Sequence, residues 1–187
     1  MKNILYLHGF GSNFANAKEK VKVLEDFGTV HGIDIFYERG FDRCLSEAKN
    51  VAKENNIDLV VGTSMGGHLA SHVGSDLGIP FVALNPVLDP KRELVKYIGE
   101  GISHANIPYI LIDSIVKTYP FFSMNGCGLI LLDNGDLVLN SHETYKVLSQ
   151  RFPVKSFEGG GHRFNHMKES METVEDFFEN ACLTYEN

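Results

Sequence analysis

The sequence predicts an α/β domain in which helices cover both faces of a mainly parallel β-sheet. Short apolar runs alternate with longer amphipathic helical patterns along the 187 residues, and this alternation is typical of βαβ units. With 43% hydrophobic and 22% charged residues, the composition fits one globular domain of ordinary size. We therefore expect a single domain over residues 1–187, folded as a three-layer sandwich with right-handed crossovers.

Four strand patterns and four helix patterns alternate in the first half of the chain. Apolar runs predict strands at residues 4–7, 30–36, 57–61 and 79–84. Apolar residues at helical spacing predict helices at residues 14–27, 41–55, 65–77 and 90–98. Gly28 and Gly78 are placed as helix stops, and Pro90 occupies a favoured position in a first helical turn.

The alternation of strand and helix patterns resumes after an irregular stretch. Strands are predicted at residues 129–132 and 154–157, and helices at 142–150 and 166–180. Residues 100–126 contain Pro108, Pro120 and Gly126 among several aromatic residues, and their pattern assigns no secondary structure. The apolar side chains there fit ordinary core better than an acyl-binding wall or a dimer contact. We expect a short lid-like segment near residues 100–126, which leaves the site open to small substrates.

The charge and the cysteines restrict the partners and the compartment. Seventeen basic and 24 acidic residues give a net charge of −7, which argues against nucleic-acid and anionic-membrane partners because both attract basic surfaces. A small anionic substrate stays possible, since it senses only local charge. Cys44, Cys127 and Cys182 form no CxxC pair, and the apolar N-terminal stretch is too short for a signal peptide. We expect a cytoplasmic protein, with a homo-oligomer left open.

Residues 62–67, GTSMGG, match the G-x-S-x-G pattern of a nucleophile turn. The pattern follows an apolar strand and precedes a helix, which is the context that it requires. Gly62, Gly66 and Gly67 permit a sharp strand-to-helix crossing, which exposes the hydroxyl of Ser64. The amide of Met65, at a helix N-terminus, is suited to bind an oxyanion. The alternative interpretation is a glycine-rich connection with an idle serine.

A second oxyanion donor is expected in the loop after the first strand, where the sequence reads HGFGS from residue 8. Gly9 and Gly11 allow the backbone to approach a bound carbonyl, and Phe10 would supply the amide. His8 is equally well explained as a buried histidine that fixes this loop, and we do not assign it as a base.

Among the eight histidines, His162 is the best candidate for a general base. It lies in the glycine-rich segment EGGGHRF at residues 158–164, between the last strand and the last helix. A catalytic histidine needs such a loop because its ring must reach across to the serine. His166, expected in the first turn of the last helix, is the second choice. His68 and His72 are expected to face away from the turn or to be packed.

The acid is expected between the serine and the histidine in chain order, on a loop after a strand. Asp136 is the first choice, because the apolar residues 137–139 behind it are expected to anchor the loop beneath the site. Asp133 is the second choice, and Asp113, in the irregular stretch, is less suitable. Both preferred aspartates are also explained as turn residues, since Asn134-Gly135 is a turn signal.

The sequence predicts neither a metal site nor a cofactor. The histidines lack an H-E-x-x-H spacing, and no GxGxxG or phosphate-loop pattern is present. His162 and His166 are four residues apart, but their glycine-rich setting fits a catalytic loop better than a metal site. The expected partner is a small-molecule ester alone.

Taken together, these motifs resemble those of the small bacterial α/β-hydrolase esterases of the YqiA type, over nearly the whole chain. The resemblance implies an α/β-hydrolase fold and a cytoplasmic carboxylesterase that acts on short acyl esters, with Ser64, Asp136 and His162 as its triad. It favours Asp136 over Asp133, because the family's acid follows the glycine of this loop. Residues 100–128 match the family poorly, which leaves substrate preference open. The segments that carry the resemblance are YLHGF at 6–10, GTSMGG at 62–67, NPV at 85–87, LVKYIG at 94–99, GDLVL at 135–139 and EGGGHRF at 158–164.

Two other functions use the same fold. A thioesterase or acyltransferase would keep the triad and change the acceptor or the leaving group, although no loop marks a coenzyme A site. A non-catalytic binding protein would keep only the fold, since a fold alone does not establish chemistry. Labelling of Ser64 by a fluorophosphonate separates the enzymes from the binding protein.

Overall fold

The computed structural model describes residues 2–95 and 117–185, and its centre is a six-stranded sheet in the order β2-β1-β3-β4-β5-β6. All five neighbouring pairs are parallel, so the predicted mainly parallel sheet is confirmed. The strands are β1 (Lys2–Leu7), β2 (Gly28–Gly32), β3 (Leu59–Thr63), β4 (Phe81–Leu84), β5 (Gly128–Asp133) and β6 (Val154–Phe157). Parallel strands bring their carboxyl ends, and the loops that follow them, to one edge of the sheet.

Helices connect the strands. They are α1 (Lys18–Glu25), α2 (Phe41–Glu54), α3 (Met65–Leu77), α4 (Pro90–Val95), α5 (Ser141–Leu148) and α6 (Met171–Tyr185). Short 3-10 turns occupy Phe14–Ala17 and Tyr37–Arg39. Within the described ranges, none of these helices has the length and apolar character that crossing a membrane requires.

The alternating side chains of each strand build two separate cores. In β1, Leu5 and Leu7 face one core, while Ile4 and Tyr6 face the other. The first core contains buried residues of α2, α3 and α5, and the second contains buried residues of α1 and α6. The strands are therefore covered on both faces, as the three-layer prediction requires.

Most predicted elements have boundaries that differ from those observed. The helix predicted at residues 14–27 is a 3-10 turn at Phe14–Ala17 followed by α1, and Gly28, expected as its stop, is the first residue of β2. The strand predicted at residues 57–61 lies at Leu59–Thr63. The second strand was expected at residues 30–36 but ends at Gly32, because the amide of Ile35 donates to a ring nitrogen of His8, 2.8 Å away, instead of extending the ladder. The last helix was expected from His166 but begins at Met171. Residues 167–170 form turns instead, in which the amide of Met171 donates to the carbonyl of Lys168, three residues back and not four as in an α-helix.

Part of the predicted lid lies outside the described residues. Of the segment near 100–126, only residues 117–126 are described, and the end of the helix predicted at 90–98 lies outside as well. Within the described part, Tyr119 and Phe122 are buried in the first core, as expected of ordinary core residues.

Candidate active site

Ser64 stands at a strained turn between β3 and α3. Its φ of 58° and ψ of −119° lie outside the regions that L-residues usually occupy, and such strain persists only where the surroundings enforce it. Its amide donates to the carbonyl of Leu84 at 2.9 Å, and its carbonyl accepts from the amide of Val87 at 3.2 Å. The turn is thus fixed on both sides by the end of β4 and the loop that follows.

The glycines around Ser64 are required by close backbone packing. A Cβ atom at Gly62 would overlap the carbonyl group of Gly66, and one at Gly66 would overlap the carbonyl group of Leu7 in β1. At Gly67 a Cβ would lie 3.1 Å from both the carbonyl oxygen of Gly62 and the Cβ of Pro86. These approaches let the strand cross into the helix in one step, as expected from the sequence.

His162 lies between Ser64 and Asp136. Its Nε2 is 3.0 Å from the Ser64 hydroxyl oxygen, and its Nδ1 is 2.9 Å from Oδ2 of Asp136. A carboxylate only accepts hydrogen bonds, so Nδ1 carries the proton, and in the neutral ring Nε2 is free to accept the serine proton. The structure brings the three residues chosen from the sequence into one hydrogen-bonded line, which we name the Ser64–His162–Asp136 line.

Asp136 is held by its own loop. Its Oδ1 accepts hydrogen bonds from the amides of Val138 and Leu139 at 2.8 and 3.0 Å. Burial raises the pKa of this carboxyl, but the hydrogen bonds from His162 and from the two amides outweigh burial and leave the pKa below its usual value. The expected apolar anchor is wrong for Leu137, which is 97% exposed, because the backbone amides hold the loop and only Leu139 of this segment is buried.

The two second-choice residues pair with each other. His166 donates through Nδ1 to Oδ1 of Asp133 at 2.7 Å, and its ring stacks on Phe157. The other carboxylate oxygen of Asp133 accepts from the amides of Gly161 and Asn165 at 3.0 and 2.7 Å. This second Asp–His pair therefore fixes the loop that carries the first histidine, and only His162 reaches Ser64.

The loop after β1 packs directly against Ser64. A Cβ at Gly9 would lie 3.2 Å from the Cβ of Ser64, so the backbone at Gly9 and Phe10 borders the hydroxyl. Met65 is the first residue of α3, and helices leave their first amides without intrahelical partners. Phe10 lines the cavity beside Ser64 and Met65 follows Ser64 in the chain, and the oxyanion role of their amides stays a prediction.

His8 fixes this loop and is not aimed at the serine. Its Nδ1 donates to the carbonyl of Gly9 at 2.8 Å, while its Nε2 accepts from the amide of Ile35 at 2.8 Å. The hydroxyl of Tyr37 donates to the His8 carbonyl at 2.5 Å, and the hydroxyl of Tyr119 donates to the Tyr37 carbonyl at 2.6 Å. The structural interpretation of His8 is confirmed, and the supporting tyrosines were not found from the sequence.

Asn85 is a second supporting residue that the sequence did not assign. It is buried with φ of 41° at the end of β4. Its side-chain amide donates to the carbonyls of Gly161 and His162 at 2.9 and 3.2 Å, and its oxygen accepts from the amide of Asp133 at 2.8 Å. Asn85 thereby joins β4, β5 and the histidine loop. The sequence indicated only that Asn85-Pro86 shapes a loop near the site, because it directly follows a strand and lies in the NPV segment of the family resemblance.

A cavity of about 470 Å³ opens beside the serine. Ser64 and His162 line it together with residues of the loop after β1 and with Lys20 of α1. Its volume is in the range of small-molecule sites. Within residues 2–95 and 117–185, no group of three or more His, Cys, Asp and Glu side chains is arranged to hold a metal ion.

Comparison with known proteins places the chain in a sequence family. The model of the uncharacterised protein family UPF0227 matches residues 3–179. A UPF0227 protein of Citrobacter koseri is 26% identical over 180 residues, which cover 93% of this chain and 97% of that protein. The match thus includes the nucleophile turn at residues 62–67, the loop of Asp136 and the loop of His162.

Solved structures share the fold at much lower identity. MGS-MChE2, an alpha/beta hydrolase enzyme from a lagoon-sediment metagenome, has a TM-score of 0.73 and 16% identity, and covers 96% of this chain and 91% of its own. A monoacylglycerol lipase of Paleococcus ferrophilus has a TM-score of 0.65 and 15% identity, with coverage of 95% and 94%. These likenesses confirm the predicted α/β-hydrolase fold.

Proposed function

The chain belongs to the UPF0227 family, and we propose that it is a serine carboxylesterase that hydrolyses small, short-acyl esters through an acyl-enzyme intermediate. The observation that carries the proposal is the Ser64–His162–Asp136 line at a strained strand-to-helix turn. Structural neighbours that are named as hydrolase and lipase add support from the fold.

In the first step Ser64 is the nucleophile. A serine hydroxyl is a weak nucleophile at neutral pH, and it needs a base within hydrogen-bond reach. His162 Nε2, 3.0 Å away, takes the proton as Oγ forms a bond to the ester carbonyl carbon. Asp136 keeps the other ring proton on Nδ1 and stabilises the imidazolium. The depressed pKa of Asp136 keeps its carboxylate charged for this role.

The tetrahedral intermediate carries its negative charge on the former carbonyl oxygen. The amides of Phe10 and Met65 receive that oxygen, and one such donor contributes about 2.7–4 kcal/mol of barrier stabilisation. The intermediate then collapses as His162 returns the proton to the leaving alcohol. A water molecule then attacks the carbonyl carbon of the acyl-enzyme while His162 takes its proton. His162 returns this proton to the oxygen of Ser64 as the carboxylic acid leaves.

The proposal places the enzyme in the reducing cytoplasm. Cys44 is a buried free thiol, and a free thiol is typical of proteins of reducing compartments. Burial raises the pKa of Cys44 to about 11, despite a hydrogen bond from Tyr119, so this thiol is not a competing nucleophile.

Hydrolysis of 4-nitrophenyl butyrate tests the proposal. Wild-type protein is compared with Ser64→Ala and with Ser46→Ala, a matched control on the exposed face of α2. We expect Ser64→Ala to lose the enzymatic rate and Ser46→Ala to keep it. Equal rates for the wild type and Ser64→Ala would disprove the assignment. If the protein hydrolyses acyl-CoA thioesters but not oxygen esters, the same three residues would belong to a thioesterase.

A further inference from the structure

The cavity beside Ser64 carries two cationic side chains. Lys20 of α1 and Arg163, next to His162, both line it. Lys20 is half-buried and Arg163 is exposed. Among the described residues that line this cavity there is no aspartate or glutamate. The wall is therefore positive, although the whole chain carries a net charge of −7.

Neither cation is neutralised by a direct ion pair with a carboxylate of the described residues. The acidic groups that act on Lys20 are Glu19 and Asp133. Asp133 is fully buried, and its two oxygens already accept from His166, Gly161 and Asn165. Glu19 is exposed on α1 and does not line the cavity.

The Lys20 ammonium is in an unfavourable position without a counter-charge. Burial has the largest effect on the pKa of Lys20 and lowers it. Glu19 opposes burial, the positive charge of Arg163 lowers the pKa further, and Asp133 raises it least, so that the pKa stays below its usual value. Two like charges on a partly dehydrated wall favour an anion between them. A guanidinium beside an ammonium suits a carboxylate, which Arg binds in a bidentate geometry.

We propose that Lys20 and Arg163 bind a carboxylate group of the ester substrate while its carbonyl lies against Ser64. This inference rests on the proposed esterase function and specifies its substrate class: half-esters of dicarboxylic acids, or esters of carboxylate-bearing alcohols. Because Arg163 follows His162 in the chain and Lys20 faces the same cavity, the bound carboxylate lies close to the reacting bond. Neutral esters lack this contact.

Two matched ester pairs test the proposal. On the acyl side, the 4-nitrophenyl half-ester of adipate is compared with 4-nitrophenyl hexanoate. On the alcohol side, 3-acetoxybenzoate is compared with 3-acetoxybenzamide. For each pair the readout is the ratio of kcat/KM for the anionic member to kcat/KM for the neutral member, which is insensitive to the amount of folded protein.

The variants are Lys20→Met and Arg163→Met, with Lys22→Met on the same helix and Lys168→Met as exposed controls. We expect the ratio in one pair to fall about ten-fold in each cavity variant, since a hydrogen bond to a charged group contributes on this scale. The controls keep the wild-type ratio. The wild-type ratio also falls as salt is added, because a half-exposed charge contact is screened.

A ratio that is the same in the cavity variants and the controls, for both pairs, overturns the proposal. If the wild type hydrolyses no ester, the esterase function fails instead. The carboxylate site is then decided by calorimetry on Ser64→Ala with the nonhydrolysable amide analogues of both pairs. Tighter binding of an anionic analogue that Lys20→Met abolishes supports the site, and equal binding of anionic and neutral analogues contradicts it.

Discussion

Two aspartates three residues apart hold two different histidines at the end of β5. Asp136 bonds to His162, which reaches Ser64, and Asp133 bonds to His166, which stacks on Phe157. Each aspartate also accepts two backbone amides, so composition and hydrogen bonding alone do not separate them. Only the position of the serine distinguishes a proton-transfer pair from a loop-fixing pair.

Substitution of each aspartate tests this division. In Asp136→Asn the histidine loses the carboxylate that fixes its tautomer, and we expect kcat to fall about 10⁴-fold. In Asp133→Asn a buried carboxylate that accepts three hydrogen bonds is lost. We expect a free energy of unfolding lower by about 1–3 kcal/mol and a smaller loss of kcat. Ester kinetics and urea unfolding of both variants are the measurements, and the reverse order of effects would contradict the assignment.

The three residues of the Ser64–His162–Asp136 line were predictable from the sequence, whereas the residues that fix their positions were not. Ser64, Asp136 and His162 lie in recognisable local settings: a strand-to-helix turn, a loop after a strand and a glycine-rich loop. Asn85 acts through partners that are 48, 76 and 77 residues away, and no local pattern encodes such contacts. The apolar residues behind Asp136 and the family resemblance both favoured it over Asp133, and the structure adds the geometric reason.

At the scale of elements, Asn85 joins the ends of β4 and β5 to the histidine loop. Asn85→Gly removes the three side-chain hydrogen bonds but tolerates the positive φ. We expect a free energy of unfolding lower by about 1–3 kcal/mol, and a slower reaction of Ser64 with a fluorophosphonate in the folded protein. The control is Asn50→Ala on the exposed face of α2, because a glycine at that position would itself weaken the helix. If the fluorophosphonate labels Ser64 in Asn85→Gly as fast as in the wild type, the positioning role of Asn85 is contradicted.

The helix α3 carries a buried histidine that makes stability depend on pH. His68 is fully buried among Phe41, Tyr119 and Phe122, and its Nε2 donates to the Pro120 carbonyl at 3.0 Å. Burial lowers the pKa of His68 to about 3, with a further contribution from nearby His72, and the hydrogen bond opposes this only in part. The ordinary pKa of histidine is 6.5. Below that pH the His68 side chain is protonated in the unfolded chain but stays neutral in the folded protein.

Stability should therefore fall as the pH drops below 6.5. Between pH 6.5 and pH 5 the His68 contribution amounts to about 2 kcal/mol. We expect His68→Gln to unfold with a shallower pH dependence than the wild type over this range, and exposed His142→Gln to follow the wild type. Urea unfolding at several pH values measures this, and parallel pH profiles for wild type and His68→Gln would contradict it.

The sequence predicted every strand of the sheet and every helix that the structure describes, but not all their limits. Buried strands and amphipathic helices follow from hydrophobic periodicity. The end of β2 is set by the side chain of His8, which accepts from the Ile35 amide. His166, where the last helix was expected to begin, instead pairs with Asp133. These limits depend on contacts between distant parts of the chain.

At the scale of the whole molecule, two cores share one sheet, and we expect them to unfold together. Leu24 is fully buried in the core of α1 and α6, and Leu148 in the core on the opposite face. Leu24→Ala and Leu148→Ala should each lower the free energy of unfolding by about 2–5 kcal/mol. A single transition by circular dichroism in both variants supports one cooperative domain. Two separate transitions would contradict it.

The most direct test of the central claim is the site of covalent reaction with a fluorophosphonate, which mimics the tetrahedral intermediate. Mass spectrometry of digested protein should place the adduct on Ser64, and His162→Ala should slow its formation by orders of magnitude because the base is gone. An adduct on any other residue, no adduct at all, or labelling that is unchanged in His162→Ala would contradict the proposed nucleophile and base.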